Sequence, residues 1–233
     1  MTIKKIIITS AVRTAVGSLG KSLKNVASDE LGSAVIREAT VRSKINKVNI
    51  DEVIMGQVLT GGTGQNPARQ AAIKSGVPKE KTAYIVNQVC GSGIRSVASG
   101  FQSIKSEDSK IIIAGGQENM SLAPHAIHLR DGKKLGDTKM TDTMIKDGLW
   151  DAFHGYHMGV TAENVAEKFQ ITREEQDRFA LKSQEKALKA QKENKFLDEI
   201  INFKIKSRKS EIDFNKDEHP REGINLEALS RLK

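Results

Sequence analysis

The sequence predicts an α/β fold, a helix-covered sheet with its functional groups collected at strand ends. Two observations lead there. Short β-branched runs recur between stretches of helical spacing, and three of the four runs lead into glycine-rich turns. Strands separated by helical segments imply crossover connections and a helix-covered sheet, an α/β layer in which functional groups collect at strand ends.

Each element has its own signal. Residues 4–9 form a β-branched run suited to a strand buried on both faces. Ser28 precedes Asp29 and Glu30, an N-cap followed by acidic residues that complement a helix dipole. Leu31, Ala34 and Val35 then keep helical spacing toward Ile45. Residues 51–59 predict a second strand, followed by glycines at 61, 62 and 64 and a helix over residues 67–75. Pro67 suits its first turn, where a missing N–H costs nothing. A third strand at residues 83–89 runs into Cys90-Gly91-Ser92-Gly93, and Val97, Ala98, Phe101 and Ile104 carry a helix beyond it. Residues 110–115 predict a fourth strand. From 118 to 159 periodicity is weak, the pattern of a functional or partner-bound segment. Thr172-Arg173-Glu174-Glu175 is a capping box that opens a charged helix reaching about Asn194. Residues 200–205 read as a strand, with a polar, undefined tail after it.

Bulk properties narrow the function classes. Of the 233 residues, 38% are hydrophobic and 28% charged, a globular mix without a bilayer-length apolar run. The opening residues hold only a brief apolar stretch, too short for a secretory signal. A single cysteine allows no internal disulfide, so a cytoplasmic location is expected. The net charge of +8 would suit an anionic partner, or simply a lysine-rich solvated surface. Aromatics at 4% and the lack of zinc-ligand spacing or RNA-binding motifs argue against nucleic acid. No membrane association is expected.

Cys90 is the residue with chemistry in view. A strand, a small-residue turn and a helix place its thiol at a helix N-terminus, where N–H groups and the dipole favour thiolate over a free thiol of pKa about 8.5. Gly91 and Gly93 leave room for a thioester, and neighbouring N–H groups could hold an oxyanion. A buried, inert cysteine acting as a small hydrophobe fits the same spacing.

The residues around it are more specific. Val86-Asn87-Gln88-Val89-Cys90-Gly91-Ser92-Gly93 resembles the nucleophile motif of the thiolases. Ser10-Ala11-Val12-Arg13-Thr14-Ala15-Val16-Gly17, Gly64-Gln65-Asn66-Pro67-Ala68-Arg69-Gln70 and Gly115-Gly116-Gln117-Glu118-Asn119-Met120-Ser121 resemble the same family in the same order. Segments at 142–149 and 155–164 extend the likeness across essentially the whole chain, and it is strongest to the short-chain, acetoacetyl-CoA-forming branch, the acetyl-CoA acetyltransferases.

The resemblance implies a layered fold with a mixed five-stranded sheet covered by helices, plus a loop-rich subdomain. Residues 1–118 would form the first part of the N-terminal domain. Residues 119–233 would form a truncated loop domain, with a tetramerisation loop at 118–136 and a coenzyme A-contacting region. It implies acyl transfer through an acyl-Cys90 intermediate, condensing two molecules of acetyl-CoA to acetoacetyl-CoA or cleaving in reverse, with ping-pong kinetics. No metal or redox cofactor is implied, and coenzyme A thioesters are the substrates. His157 and Met158 match residues lining the pantetheine passage, with Leu149 a neighbouring wall. Arg221 matches an arginine near the adenine end, and Ala228 stands where relatives often have serine. A homo-oligomer, dimer or tetramer, is implied too.

A second half of similar fold would supply the activating histidine, a second cysteine and an asparagine-held water, so the C-terminal half-domain is expected to be absent here and the chain alone inactive or crippled. A ketoacyl synthase is the nearest enzymatic alternative. A thiolase-like fragment serving only as an association module is the non-enzymatic one, and a cysteine hydrolase ranks third.

Overall fold

A computed structural model describes residues 5–206 and 210–232. Helix α1, Ser28–Arg42, carries Asp29 and Glu30 in its first turn and Arg42 in its last, each complementing the dipole. Its N-cap is Ala27 rather than Ser28. The Ser28 hydroxyl is engaged elsewhere, accepting from the Gln57 side-chain amide at 3.0 Å. Strand β1, Glu52–Gly56, leads through the glycine loop to α2, Pro67–Ser75. Asn66 caps α2 by accepting from the Arg69 N–H, and Gly76 ends it at φ 90°, where a glycine is needed. Then follow β2 (Thr82–Val86), α3 (Ser92–Lys105) and β3 (Ile112–Gly116).

The three strands form one parallel sheet in the order β2-β1-β3, with Ile54 opposite both Tyr84 and Ala114. Central β1 is enclosed on both faces, Val53, Ile54 and Met55 being at most 1% exposed, which explains its unbroken apolar run. Val53 and Met55 join Ile36, Ala68, Ala71, Ala72 and Val77 in the main core under α1 and α2. Helix α3 lies against the sheet, with Gly100 close to Ile112.

Among the described residues this sheet has three parallel strands, where the family resemblance implied a mixed five. Of the anticipated strand at 4–9, residue 4 lies outside the described residues, and residues 5–9 join no ladder. Ile7 and Ile8 are 75% and 80% exposed. An apolar cavity of about 910 Å³ separates this segment from α1, α3 and β3, so a β-branched run alone does not form a strand without a partner edge and a packed face.

Beyond β3 come short pieces: β4 (His125–Ala126) paired antiparallel with β5 (Thr141–Asp142), then a π-helical turn, Met144–Leu149. Two helices follow, α4 (Met158–Lys168) and α5 (Arg173–Lys192), the latter opened by the expected capping box between Thr172 and Glu175. Strand β6, Phe203–Lys206, starts later than predicted because residues 200 and 201 are drawn to Arg13, whose carbonyl accepts from the Ile201 N–H at 2.9 Å. The tail is better defined than its polarity implied. Strand β7, Glu211–Phe214, pairs with β6, and α6, Leu226–Ser230, follows. Burial of Phe214 with Ala15, Leu23, Val26 and Leu31 in a second core gives the tail its order. No helix among the described residues is long and apolar enough to cross a membrane.

Candidate active site

Cys90 lies exposed in the turn between β2 and α3. The chain turns sharply there. Val89 sits at φ 47°, a left-handed conformation that is a genuine outlier for a β-branched residue. Its N–H donates to Asn87 Oδ1 at 2.9 Å, and its carbonyl accepts from Ser92 Oγ at 2.6 Å. Ser92 Oγ also accepts from the Gln88 N–H at 2.9 Å. Gly91 N–H donates to the Gln88 carbonyl, and Gly91 is the N-cap of α3, with no side chain capping it.

Gly56 lets α3 begin this close to the sheet, with Gly116 packed alongside. A Cβ on Gly56 would lie 2.4 Å from the Ser92 carbonyl carbon, and one on Gly116 would lie 3.6 Å from Gly93 Cα. Buried Ser96 ties the first turn down, its hydroxyl 2.7 Å from the carbonyl oxygens of both Gly93 and Gly115. The start of α3 is therefore seated on the carboxyl ends of β1 and β3, the end of a parallel sheet where ligands bind.

A polar network follows the carboxyl ends of β1 and β3. Glu118 accepts from the Val58 and Leu59 N–H groups at 2.8 and 3.3 Å. Burial pushes its carboxyl above the usual range despite those bonds. Gln117 donates to Gln57 Oε1 at 3.0 Å, and the Gln57 amide reaches Ser28 and the Leu59 carbonyl. Asn119 donates to the carbonyls of Leu23 and Val26.

Leu149, His157 and Met158 are brought together. Leu149 ends the π-helical turn, and the next residue, Trp150, forms an antiparallel bridge to His157. His157 caps α4 with Nδ1, which accepts from the Gly159 N–H at 3.0 Å. In that role Nδ1 carries no proton, leaving Nε2 as the donor of the neutral ring. Asp151 holds the intervening loop by accepting from the N–H groups of Phe153 and His154 and by pairing with the His154 ring at 2.9 Å. Contacts connect this group to the Cys90 turn. A Cβ on Gly148 would sit 3.6 Å from Leu59 Cδ2, and the Asn87 amide donates to the neighbouring Val58 carbonyl, a long bond at 3.4 Å.

Arg221 and Ala228 stand elsewhere, beside α5 and in α6. The Arg221 N–H donates to Gln184 of α5, and the Ala228 N–H to Asn225, the cap of α6. Both are exposed. The sequence reading missed Asn87, Ser92 and Glu118 as individual side chains. Asparagine two positions before Val89 is an Asx-turn signal that could have marked the first.

Comparison with known proteins gives this geometry a family. The chain is 57% identical over 228 residues to the acetyl-CoA acetyltransferase of Rhizobium meliloti, covering 98% of this chain and 58% of that protein. It is 49% identical over 228 residues to the cytosolic acetyl-CoA acetyltransferase of Rattus norvegicus, covering 98% and 57%. The crystal structure of the Bacillus anthracis acetyl-CoA acetyltransferase superposes with a TM-score of 0.94 at 41% identity, over 97% of this chain and 58% of that one. The chain therefore spans less than two thirds of the length of the relatives it matches. Residues 6–233 match the thiolase N-terminal domain, and the chain belongs to the thiolase family.

Proposed function

We propose that Cys90 is the acyl-accepting nucleophile of an acetyl-CoA acetyltransferase whose first portion is this chain. The supporting observation is the clamped turn, which presents an exposed thiol at the start of a helix seated on the strand ends. In the first half-reaction the Cys90 sulfur attacks the thioester carbonyl of acetyl-CoA. An S–C bond forms to the enzyme, the C–S bond to coenzyme A breaks, and coenzyme A leaves with the proton given up by the thiol. In the second, a base takes the α-proton of another acetyl-CoA, the resulting carbanion forms a C–C bond to the acyl-Cys90 carbonyl as the C–S bond to Cys90 breaks, acetoacetyl-CoA leaves, and the proton returns to the Cys90 sulfur. Thiolysis runs the same steps backwards.

Coenzyme A enters as substrate, and no other cofactor has a part. Leu149, His157 and Met158 would wall the pantetheine arm. Arg221, with Ala228 nearby, would face the nucleotide end, where a planar cation suits phosphate and adenine. Residues 1–118 would then hold the nucleophile and 119–233 the coenzyme contacts. A cytoplasmic homo-oligomer is the expected setting. Cys90 is the sole cysteine, so the second thiol that the family resemblance assigns to α-proton transfer has no counterpart in these residues. The 233-residue chain by itself should acylate slowly and not condense, because removing one member of a cooperating set removes most of the catalysis.

Intact-mass measurement after brief incubation with acetyl-CoA tests this. A single acetyl adduct in the wild type and none in Cys90→Ala supports it. No adduct here, with ready acetylation of a longer form of the protein, would place activation outside these residues and make this chain an association module.

A further inference from the structure

Val89 is held by hydrogen bonds rather than by packing. Its side chain is 50% exposed, so burial does not force the left-handed backbone. Both of its backbone polar groups are engaged: the N–H donates to Asn87 Oδ1 at 2.9 Å, and the carbonyl accepts from Ser92 Oγ at 2.6 Å and from the Ser92 N–H at 3.1 Å. Ser92 is buried and fixes the Gln88 N–H as well. Asn87 in turn leans on the end of β1 through Val58, whose N–H is fixed by Glu118. Strained backbone persists only where the surroundings over-determine it, and it gathers at functional sites.

We infer, on the footing of the proposed acyl transfer, that Asn87 and Ser92 are positioning residues that hold Val89 left-handed so that the Cys90 thiol faces out at the start of α3. Neither touches the reacting atoms. Each acts through the peptide that precedes or follows Val89, and without them Val89 relaxes into an ordinary conformation and turns Cys90 away. Glycine adopts positive φ without steric cost, so at position 89 it should lessen the need for the clamp.

The experiment uses the 233-residue chain, with Cys90 alkylation by iodoacetamide and acetyl transfer from acetyl-CoA as two rates and thermal melting as the control for folding. Asn87→Ala should slow both reactions by up to about a hundredfold, the order of change that a misplacement of about 1 Å produces. Asn87→Asp keeps the acceptor for Val89 and should stay near the wild-type rates. Asn87→Ala combined with Val89→Gly should recover part of the loss, which a merely stabilising asparagine would not allow. Ser92→Ala should slow both reactions as well, and it decides the matter if Asn87→Ala fails to fold. Wild-type rates in Asn87→Ala and Ser92→Ala, or strictly additive losses in the double variant, would overturn the inference. If neither this chain nor a longer form of the protein takes an acetyl group on Cys90 while alkylation follows the expected pattern, the clamp stands and the acyl-transfer proposal falls.

Discussion

At Glu118 two forces oppose each other. Burial disfavours the carboxylate, two backbone N–H bonds favour it, and burial prevails. A carboxyl whose pKa is raised on folding binds its proton more tightly in the native state, so its effect on stability grows less favourable as pH rises through the folded value. Asp51 behaves oppositely. The Lys110 and Ile111 N–H groups hold it below the ordinary range, so its contribution is present at neutral pH and lost as pH falls through its folded value. Glu118→Gln should therefore remove the part of the stability loss above the ordinary glutamate range that comes from ionising Glu118, leaving the acid limb due to Asp51. Urea unfolding at a series of pH values measures both limbs, and an unchanged slope above that range in the variant would contradict the burial of an ionised Glu118. The strand, small-residue turn and helix around Cys90 were legible in the sequence because glycines punctuate the passage from β2 to α3. The clamp was not, because valine at 89 gives no hint of positive φ.

At the scale of elements, the contact between β1 and α3 sets the site. Gly56→Ala would drive a methyl group into backbone at Ser92 and Gly93, atoms that cannot rotate aside as a flexible side chain would. Overpacking of this kind costs about 1–3 kcal/mol. The variant should lose that much in chemical denaturation and also acylate Cys90 more slowly, since the start of α3 must retreat. Normal acylation at reduced stability would show that the seat matters for folding alone. The elements easiest to read were those with clear punctuation at their ends: α2 between Pro67 and Gly76, and α5 behind its capping box. Residues 5–9 and the tail were misread for one shared reason. Local pattern reports what a segment favours, while partner strands and a core decide what it does: Phe214 found a core and residues 5–9 found no ladder.

For the molecule as a whole, the balance of buried and exposed apolar surface is uneven. Along α3, Ile94 is 81% exposed, Phe101 54% and Val97 47%, at spacings that put them on one side of the helix. Exposed apolar side chains on one helix face favour association with another apolar surface. The chain should sediment as a concentration-dependent self-associating species, and Phe101→Glu should shift it toward monomer without changing its circular dichroism. A monomer at all concentrations for the wild type would count against that face.

The guanidinium of Arg13 has a consequence for synthesis. It is bonded to Glu199 at 2.6 Å and to both oxygens of Asp217 at 2.8 and 3.0 Å, partners 186 and 204 residues further along the chain. At about 5–20 residues per second on the ribosome, that separation amounts to roughly 10–40 s. The sheet and its three helices, complete by Gly116, can form in that interval. The segment that opens the chain is thus among the last to be fastened, and for those seconds it is open to chaperones and proteases.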